Sequence, residues 1–557
     1  MIARLDSLFP LEDASIGARF LWRLPSFLRH PISAEQAKVT LRRRLEEREG
    51  NFMALARQAI YAHAASPYRQ LLTLAGCEYG DLERLVGQEG VEGALRALYR
   101  QGVYLTVDEF KGRRPVVRGN ATIEVEPDRL CNPLSAIHVS ARSSGSRGAP
   151  IAVGIDFAHI RDCAINQCLT LDARGGIGWL HAIWGLPGGG AMVELLRLRS
   201  FGIHPPHWFS LLDPATPGLH PRYRWSAHLI HWGSVLARVP LPHPRYVPFE
   251  NPLPIVYWMM EVLRQGGTPH LLTSASAAVG LCRAAFDAGA DLRGAQFCLG
   301  GEPITEARVA VVRRVGAQAM PAYQTSEAGF IGYGCLAPQH PDEIHLFNDL
   351  HAVIQPGLGR EQTGLPSLAL LVSSVRATAP LILLNVSLGD QAVVGSRACG
   401  CPLERLGWIT HLHTIRSYEK LTAGGMTFLD TDVMHVLDEV LPTRFGGGPT
   451  DYQLLEEETD DGRACLRLVV HPRVGPLDTD AVAETFLTAI GHGSGGERVM
   501  GLLWRAAGLL RVERREPKIT GSGKIHHLHV QRSQDIPPPT REQSATDSPR
   551  IEETSVG

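Results

Sequence analysis

The sequence predicts a layered α/β fold in two parts, a large N-terminal domain and a small α+β C-terminal one. The chain has 557 residues, too many for one compact core at roughly 150 residues per domain. Helical patterns alternate with short apolar runs over residues 255–299, as helices and buried strands of a layered sheet do. Residues 417–524 mix strand and helix signals again around a glycine-rich break at 446–448, which suits a second, smaller unit.

In chain order, residues 35–72 hold helix formers with Arg42, Arg43, Arg44, Glu46 and Glu47 clustered on one face, so they read as amphipathic helix. Residues 136–139 are a short apolar run that ends in a Ser- and Gly-rich loop, the pattern of a strand entering a phosphate loop. Residues 179–258 are rich in Pro, His and aromatics, which predicts irregular loops and pocket walls. Residues 255–264 read as helix, 270–272 as strand, 275–289 as helix, and 296–299 as a strand delivering Gly300 and Gly301 at its carboxyl end. Residues 532–557 are rich in Pro, Ser, Thr and Glu, so a disordered tail is expected.

The formal net charge is -2, which gives no whole-chain electrostatic footprint for nucleic acid or an anionic membrane. A small-molecule substrate is the better expectation. The opening residues include Arg4 and Asp6, unlike a signal peptide. The uncharged stretch 175–193 is broken by Gly185 and Pro187 and makes a poor membrane span. A soluble, cytoplasmic protein with no membrane span is expected. Ten cysteines in a chain of this length point to reduced thiols or metal ligation, not to a disulfide scaffold.

Four short segments carry the chemistry. Ser143, Ser144, Gly145, Ser146, Arg147 and Gly148 form a loop of small residues whose backbone N–H groups and hydroxyls can meet phosphate oxygens, with Arg147 able to pair with a leaving pyrophosphate. Gly300 and Gly301, followed by Glu302 and Pro303, let a planar base lie against the main chain, and Tyr323 can stack on its face. The third segment is Leu388-Gly389-Asp390. In the fourth, Lys524 ends a glycine-rich stretch after Thr520, where it can neutralise two anions brought together in a transition state.

In this order the segments resemble the adenylate-forming superfamily, most closely its phenylacetate-CoA ligase-like branch, over residues 66–528. The resemblance implies a multi-layer adenylation domain with mixed sheets over 1–415, residues 1–130 being a mostly helical lead-in, and a small mobile α+β lid over 416–531. It implies an AMP-forming acid–thiol ligase that makes an acyl-adenylate from a small carboxylic acid and MgATP, then an acyl-CoA thioester. Glu327 would hold Mg²⁺, Asp390 would accept the ribose hydroxyls, and Arg416 would end the large domain beside ribose or phosphate. Lys524, Glu327 and Arg416 are thus the catalytic candidates, with Glu302, Gln324 and Ser326 completing the nucleotide set. Gln324 replaces the usual Gly, Ser326 the usual Thr and Leu388 the usual Thr or Ser, while Tyr418 stands where relatives carry a charged hinge. Arg147 departs from a hydroxyl residue or Gly. Two alternatives stay open: transfer to the phosphopantetheine of an acyl-carrier protein or to another protein, and a non-catalytic nucleotide-binding descendant.

Cys335, His345, Cys399 and Cys401 supply three thiolates and an imidazole, a set that satisfies tetrahedral Zn²⁺. A similar pattern occurs in the resembled branch. His340 is the competing imidazole. Such a closed site is structural, tying the loop of Asp390 to that of Glu327.

Overall fold

Helix signals dominate the first hundred residues, and the computed structural model turns them into α1 (Leu11–Arg29), α2 (Ala34–Glu46), α3 (Arg48–Leu55), α4 (Pro67–Leu74), α5 (Tyr79–Arg100) and α6 (Val107–Phe110). The structure describes residues 11–142, 152–213, 216, 222–357, 365–418, 433, 436–448, 451–458, 464–491, 501–502, 504–517 and 528–530. Ser33 starts α2 through a capping box with Gln36, and Pro67 occupies the first turn of α4, where its missing N–H costs nothing. The amphipathic helix expected over 35–72 is present in several pieces, interrupted at Glu47 and before Pro67. Its charged face is also incomplete. Arg42 and Arg43 are exposed, but Arg44 is buried and paired with Asp162 and with Asp349, the second at 3.3 Å. Asp349 accepts further bonds from Asn166 (2.8 Å) and Trp408 (3.2 Å), so this buried charge is compensated, as burial requires.

Two hairpins follow. β1 (Val116–Arg118) pairs with β2 (Ala121–Ile123), and β3 (Val139–Arg142) pairs antiparallel with β4 (Ala152–Ile155). The strand expected at 136–139 thus begins at its last residue.

A twelve-stranded sheet carries the large part of the chain. Its strands are β5 (Leu180–Gly185), β6 (His207–Ser210), β7 (Pro244–Tyr246), β8 (Pro269–Ser274), β9 (Gln296–Gly300), β10 (Gln318–Thr325), β11 (Gly329–Gly334), β12 (Ile344–Leu346), β13 (His351–Ile354), β14 (Ala369–Ser374), β15 (Val386–Ser396) and β16 (Thr410–Ser417). Their spatial order is β7-β6-β5-β8-β9-β10-β11-β12-β16-β15-β14-β13. The half from β7 to β10 is parallel and the half from β10 to β13 antiparallel. Helices α7 (Phe157–Asp172), α8 (Gly189–Ser200), α9 (Arg222–Leu236), α10 (Leu253–Arg264), α11 (Ala275–Asp287) and α12 (Glu306–Arg314) accompany the parallel half. One core joins Val256, Met259, Leu281 and Phe297 from α10, α11 and β9; another joins Leu41, Leu169, Phe330 and Trp408, from α2, α7, β11 and the connection between β15 and β16.

The described residues of the region expected to be irregular, 179–258, hold regular elements instead, with β5, β6, β7, α8 and α9 among them. Parallel strands covered on both faces show no polar alternation, and Trp184, Trp208 and Phe209 are fully buried in them. Proline stands at the start of β7, an edge strand that tolerates the lost donor.

A four-stranded sheet, β17 (Tyr452–Glu458), β18 (Ala464–Val470), β19 (Leu510–Arg514) and β20 (Leu528–Val530), follows with its own core of Leu454, Leu468, Phe486 and Trp504. The helix Thr479–Ile490 supplies Phe486. The fold is thus α/β with a small α+β unit after it. Among the described residues no helix is long and apolar enough to cross a membrane.

Candidate active site

The sheet changes from parallel to antiparallel at the β10–β11 turn, and a cavity of about 230 Å³ opens there. Gly301, Tyr323, Ser326, Glu327, Asp342 and Asp390 line it. It lies at the carboxyl ends of parallel strands, where open α/β sheets take their ligands. β9 ends at Gly300, and Gly301 adopts φ 78°, a left-handed conformation that glycine reaches without strain. Gly329, closing the turn after Glu327, has φ 80°, and a Cβ there would lie 2.5 Å from His159 Nε2.

Tyr323 donates its hydroxyl to Asp390 Oδ2 at 2.8 Å. Burial, and next the Asp390 carboxylate, hold the phenol well above its ordinary pKa, so it stays the donor. Glu327 is buried at the turn, where Thr325 Oγ1 accepts from Ala328 N at 3.0 Å.

Several expected residues have protein partners. Arg416 donates to Asp342 Oδ2 at 2.9 Å, and Asp342 also accepts from the backbone N–H groups of Thr414 (2.9 Å) and Ile415 (2.7 Å). Glu302 Oε2 accepts from Ser276 N (2.9 Å), Ser276 Oγ (2.6 Å) and Arg308 (2.7 Å). Burial raises its pKa against the pull of Arg308. Gln324 accepts from Arg197 at 3.3 Å; Arg197 is ion-paired with Glu194, which accepts from Gln167 at 2.6 Å. Leu388 is buried in the core, and Tyr418 shares a 2.6 Å hydroxyl bond with Ser387. Asp342 and Arg197 belong to no motif, and the sequence offers no signal that would have found them. Ser143, Ser144, Gly145, Ser146, Arg147, Gly148 and Lys524 lie outside the described residues.

A second constellation stands just past β11, on β12 and in the connection between β15 and β16. The ligand atoms of Cys335, His345, Cys399 and Cys401 all lie within 4.8 Å of one another. His345 Nδ1 faces the Trp408 carbonyl at 2.6 Å, and a carbonyl only accepts, so Nδ1 carries the proton. Nε2 keeps its lone pair and faces Cys401 Sγ at 3.2 Å and Cys399 Sγ at 3.7 Å. Gly400, φ 70°, makes the tight turn between the two thiols. Burial and the neighbouring thiols push Cys335 up to about 12, an opposition that a bound cation reverses. Three thiols and one imidazole with an oriented lone pair fit tetrahedral zinc. His340 stacks on His413 at 3.8 Å and lies outside this group. All ten cysteines are free thiols.

No protein-family model matches the sequence, and no curated protein matches it. Among solved structures the chain is similar to a CoA ligase, and the two share a fold. The structure is that of 2-hydroxyisobutyryl-CoA ligase in complex with 2-HIB-AMP and CoA in the thioesterification state, with a TM-score of 0.53, 17% identity, and coverage of 88% of this chain and 90% of that one. A double mutant of o-succinylbenzoate CoA synthetase from Bacillus subtilis gives 0.39 at 12% identity over 73% and 72% of the two chains. An amide bond synthetase from Marinactinospora thermotolerans gives 0.38 at 14% identity over 86% and 92%. What this chain shares with that ligase is the fold, a large mixed α/β part followed by a small α+β one.

Proposed function

We propose that the chain is an ATP-dependent carboxylate–CoA ligase of the phenylacetate-CoA ligase-like kind. One observation carries the reading: Tyr323, Glu327 and Asp390, separate in sequence and expected at adenine, Mg²⁺ and ribose, line one cavity, with Tyr323 bonded to Asp390.

Gly300 and Gly301 give the adenine a flat approach, Tyr323 gives it a face, and Asp390 takes the ribose hydroxyls. Glu327 would hold Mg²⁺, which neutralises phosphate charge when bound. Arg416, kept in register by Asp342, stands at the end of β16, where the large domain passes to the small one. Lys524 would stabilise the charge that develops as the acid's carboxylate oxygen attacks the α-phosphorus and pyrophosphate leaves. The CoA thiol then attacks the acyl carbon, and AMP departs. Cys335, His345, Cys399 and Cys401 would hold a structural zinc, which ties the elements after Glu327 to the strands that carry Asp390 and Arg416.

The deciding experiment follows pyrophosphate release and acyl-CoA formation over aryl, short-chain and long-chain acids, with Lys524→Ala alongside. Adenylation is expected to fall on the order of a hundredfold or more in the variant, with thioester formation from supplied acyl-adenylate far less affected. Equal loss in both half-reactions would remove Lys524 from this role. Pyrophosphate release with no acyl-CoA turnover would replace CoA by a carrier-protein acceptor, and no release with any acid would reject the ligase reading.

A further inference from the structure

Helices α1 and α9 pack against each other at Gly233, where a Cβ would lie 2.8 Å from Leu21 Cδ2 and 2.9 Å from Leu24 Cδ2. Arg29 Nε donates to Ala237 O at 3.2 Å and fastens the carboxyl ends of the two helices. Their inner faces are ordinary core, with Phe20, Leu24, Phe27 and Ile230 buried. Their outer faces are different in kind. Trp22 is 84% exposed, Leu236 77% and Trp232 61%. Arg19, Arg23, Arg29 and Arg238 are exposed on and beside the same helices. The sequence holds no Asp or Glu between Ser15 and Pro31 or between Ala215 and Phe249; Glu12 and Asp13, in the first turn of α1, are the acids of that helix.

We propose that this face adsorbs to an anionic bilayer surface. Indole rings and aliphatic side chains suit the boundary between headgroups and acyl chains, and guanidinium groups beside them meet lipid phosphates while their stems stay in contact with apolar surface. The chain's net charge of -2 conceals a patch that is locally cationic. A second copy of the chain is a poorer occupant: two-fold contact sets a patch against itself, which brings arginine to arginine. Single-stranded nucleic acid would use the indoles and arginines but leaves the exposed aliphatic Leu236 without a role. The proposal is independent of the ligase reading.

The test sediments the full-length protein with vesicles of phosphatidylcholine alone and of phosphatidylcholine mixed with phosphatidylserine, and records tryptophan emission. Binding to the mixed vesicles, a blue shift, and loss of both at high salt are expected. Trp22→Ser with Trp232→Ser should abolish the blue shift. Arg19→Gln with Arg23→Gln should weaken binding by roughly twenty-five-fold, about fivefold per cation removed. Unchanged thermal melts establish that both variants fold, as substitutions at exposed positions should. No binding to mixed vesicles, equal binding to neutral ones, or full binding by both variants overturns the proposal. A dimer in solution that dissolves in the tryptophan variant assigns the face to a second copy, and capture of a single-stranded oligonucleotide in preference to vesicles assigns it to nucleic acid; either rejects the bilayer.

Discussion

The Tyr323 hydroxyl donates to Asp390 at 2.8 Å although β11, β12 and β16 lie between their strands in the sheet. The bond bridges two strands that are not neighbours in the sheet and fixes an aromatic face and a carboxylate relative to one another. A nucleotide that meets both then orders fewer side chains on binding, which lowers the entropic cost of association.

Tyr323→Phe keeps the ring and removes that bond. A stability loss of about 1 kcal/mol is expected, with ATP binding weakened only a few-fold. Tyr323→Ala should weaken ATP binding much further, because the stacking surface goes as well. Equilibrium binding of ATP to the two variants checks this, and equal damage in both would mean that the nucleotide meets the hydroxyl and not the ring.

Glu327→Gln removes a hard anionic ligand at nearly constant volume. The magnesium titration of pyrophosphate release should move to higher concentration while the melting curve stays close to wild type. A superimposable titration would reduce Glu327 to a buried carboxylate that holds the β10–β11 turn.

Purified protein should carry about one zinc per chain, because a closed set of three thiolates and an imidazole binds tightly and couples metal to folding. Cys399→Ser and Cys401→Ser should each lose metal and stability, while Cys77→Ser, outside the cluster, should retain its metal. Elemental analysis that finds no zinc in active, unchelated protein would reject the site.

Stability should fall in mild acid through the buried histidines. His181 Nε2–H donates to Gly176 O at 2.9 Å, so its Nδ1 accepts from His270 Nδ1–H at 2.8 Å, and both rings are neutral. Burial brings His181 and His351 down to about 4 and places His270 well below its ordinary value. The unfolded rings titrate near about 6.5 and bind protons first, so this stability is full above about pH 6.5 and is lost as pH falls toward about 4. Denaturant midpoints across that window should decline, and His181→Gln should flatten the decline even if it lowers the midpoint at neutral pH. An unchanged slope would exclude the pair as its source.

The parts of the fold that were legible in the sequence were those with punctuation. Residues 255–264, 270–272, 275–289 and 296–299 lie within or nearly coincide with α10, β8, α11 and β9, because Pro, Gly and Ser cap each run. The region 179–258 was misread because its parallel strands are covered on both faces and their apolar runs alternate with nothing. Arg44 was misplaced because helical periodicity puts a residue on a face without saying whether a buried acid waits there. At the cavity, Tyr323, Glu327 and Asp390 were readable as motifs. Asp342 and Arg197 were not, since what brings each to the cavity region is a partner distant in sequence, Arg416 and Gln324.

Arg44 and Asp349 are separated by 305 positions. A ribosome adding about 5–20 residues per second needs roughly fifteen seconds to a minute to cover that distance. For the greater part of that interval α2 and Asp162 have been synthesised, but the second acid that receives the buried guanidinium has not. The buried guanidinium can therefore be held by Asp162 alone until well over half of the protein has emerged, and its compensation is completed late although α2 is made early.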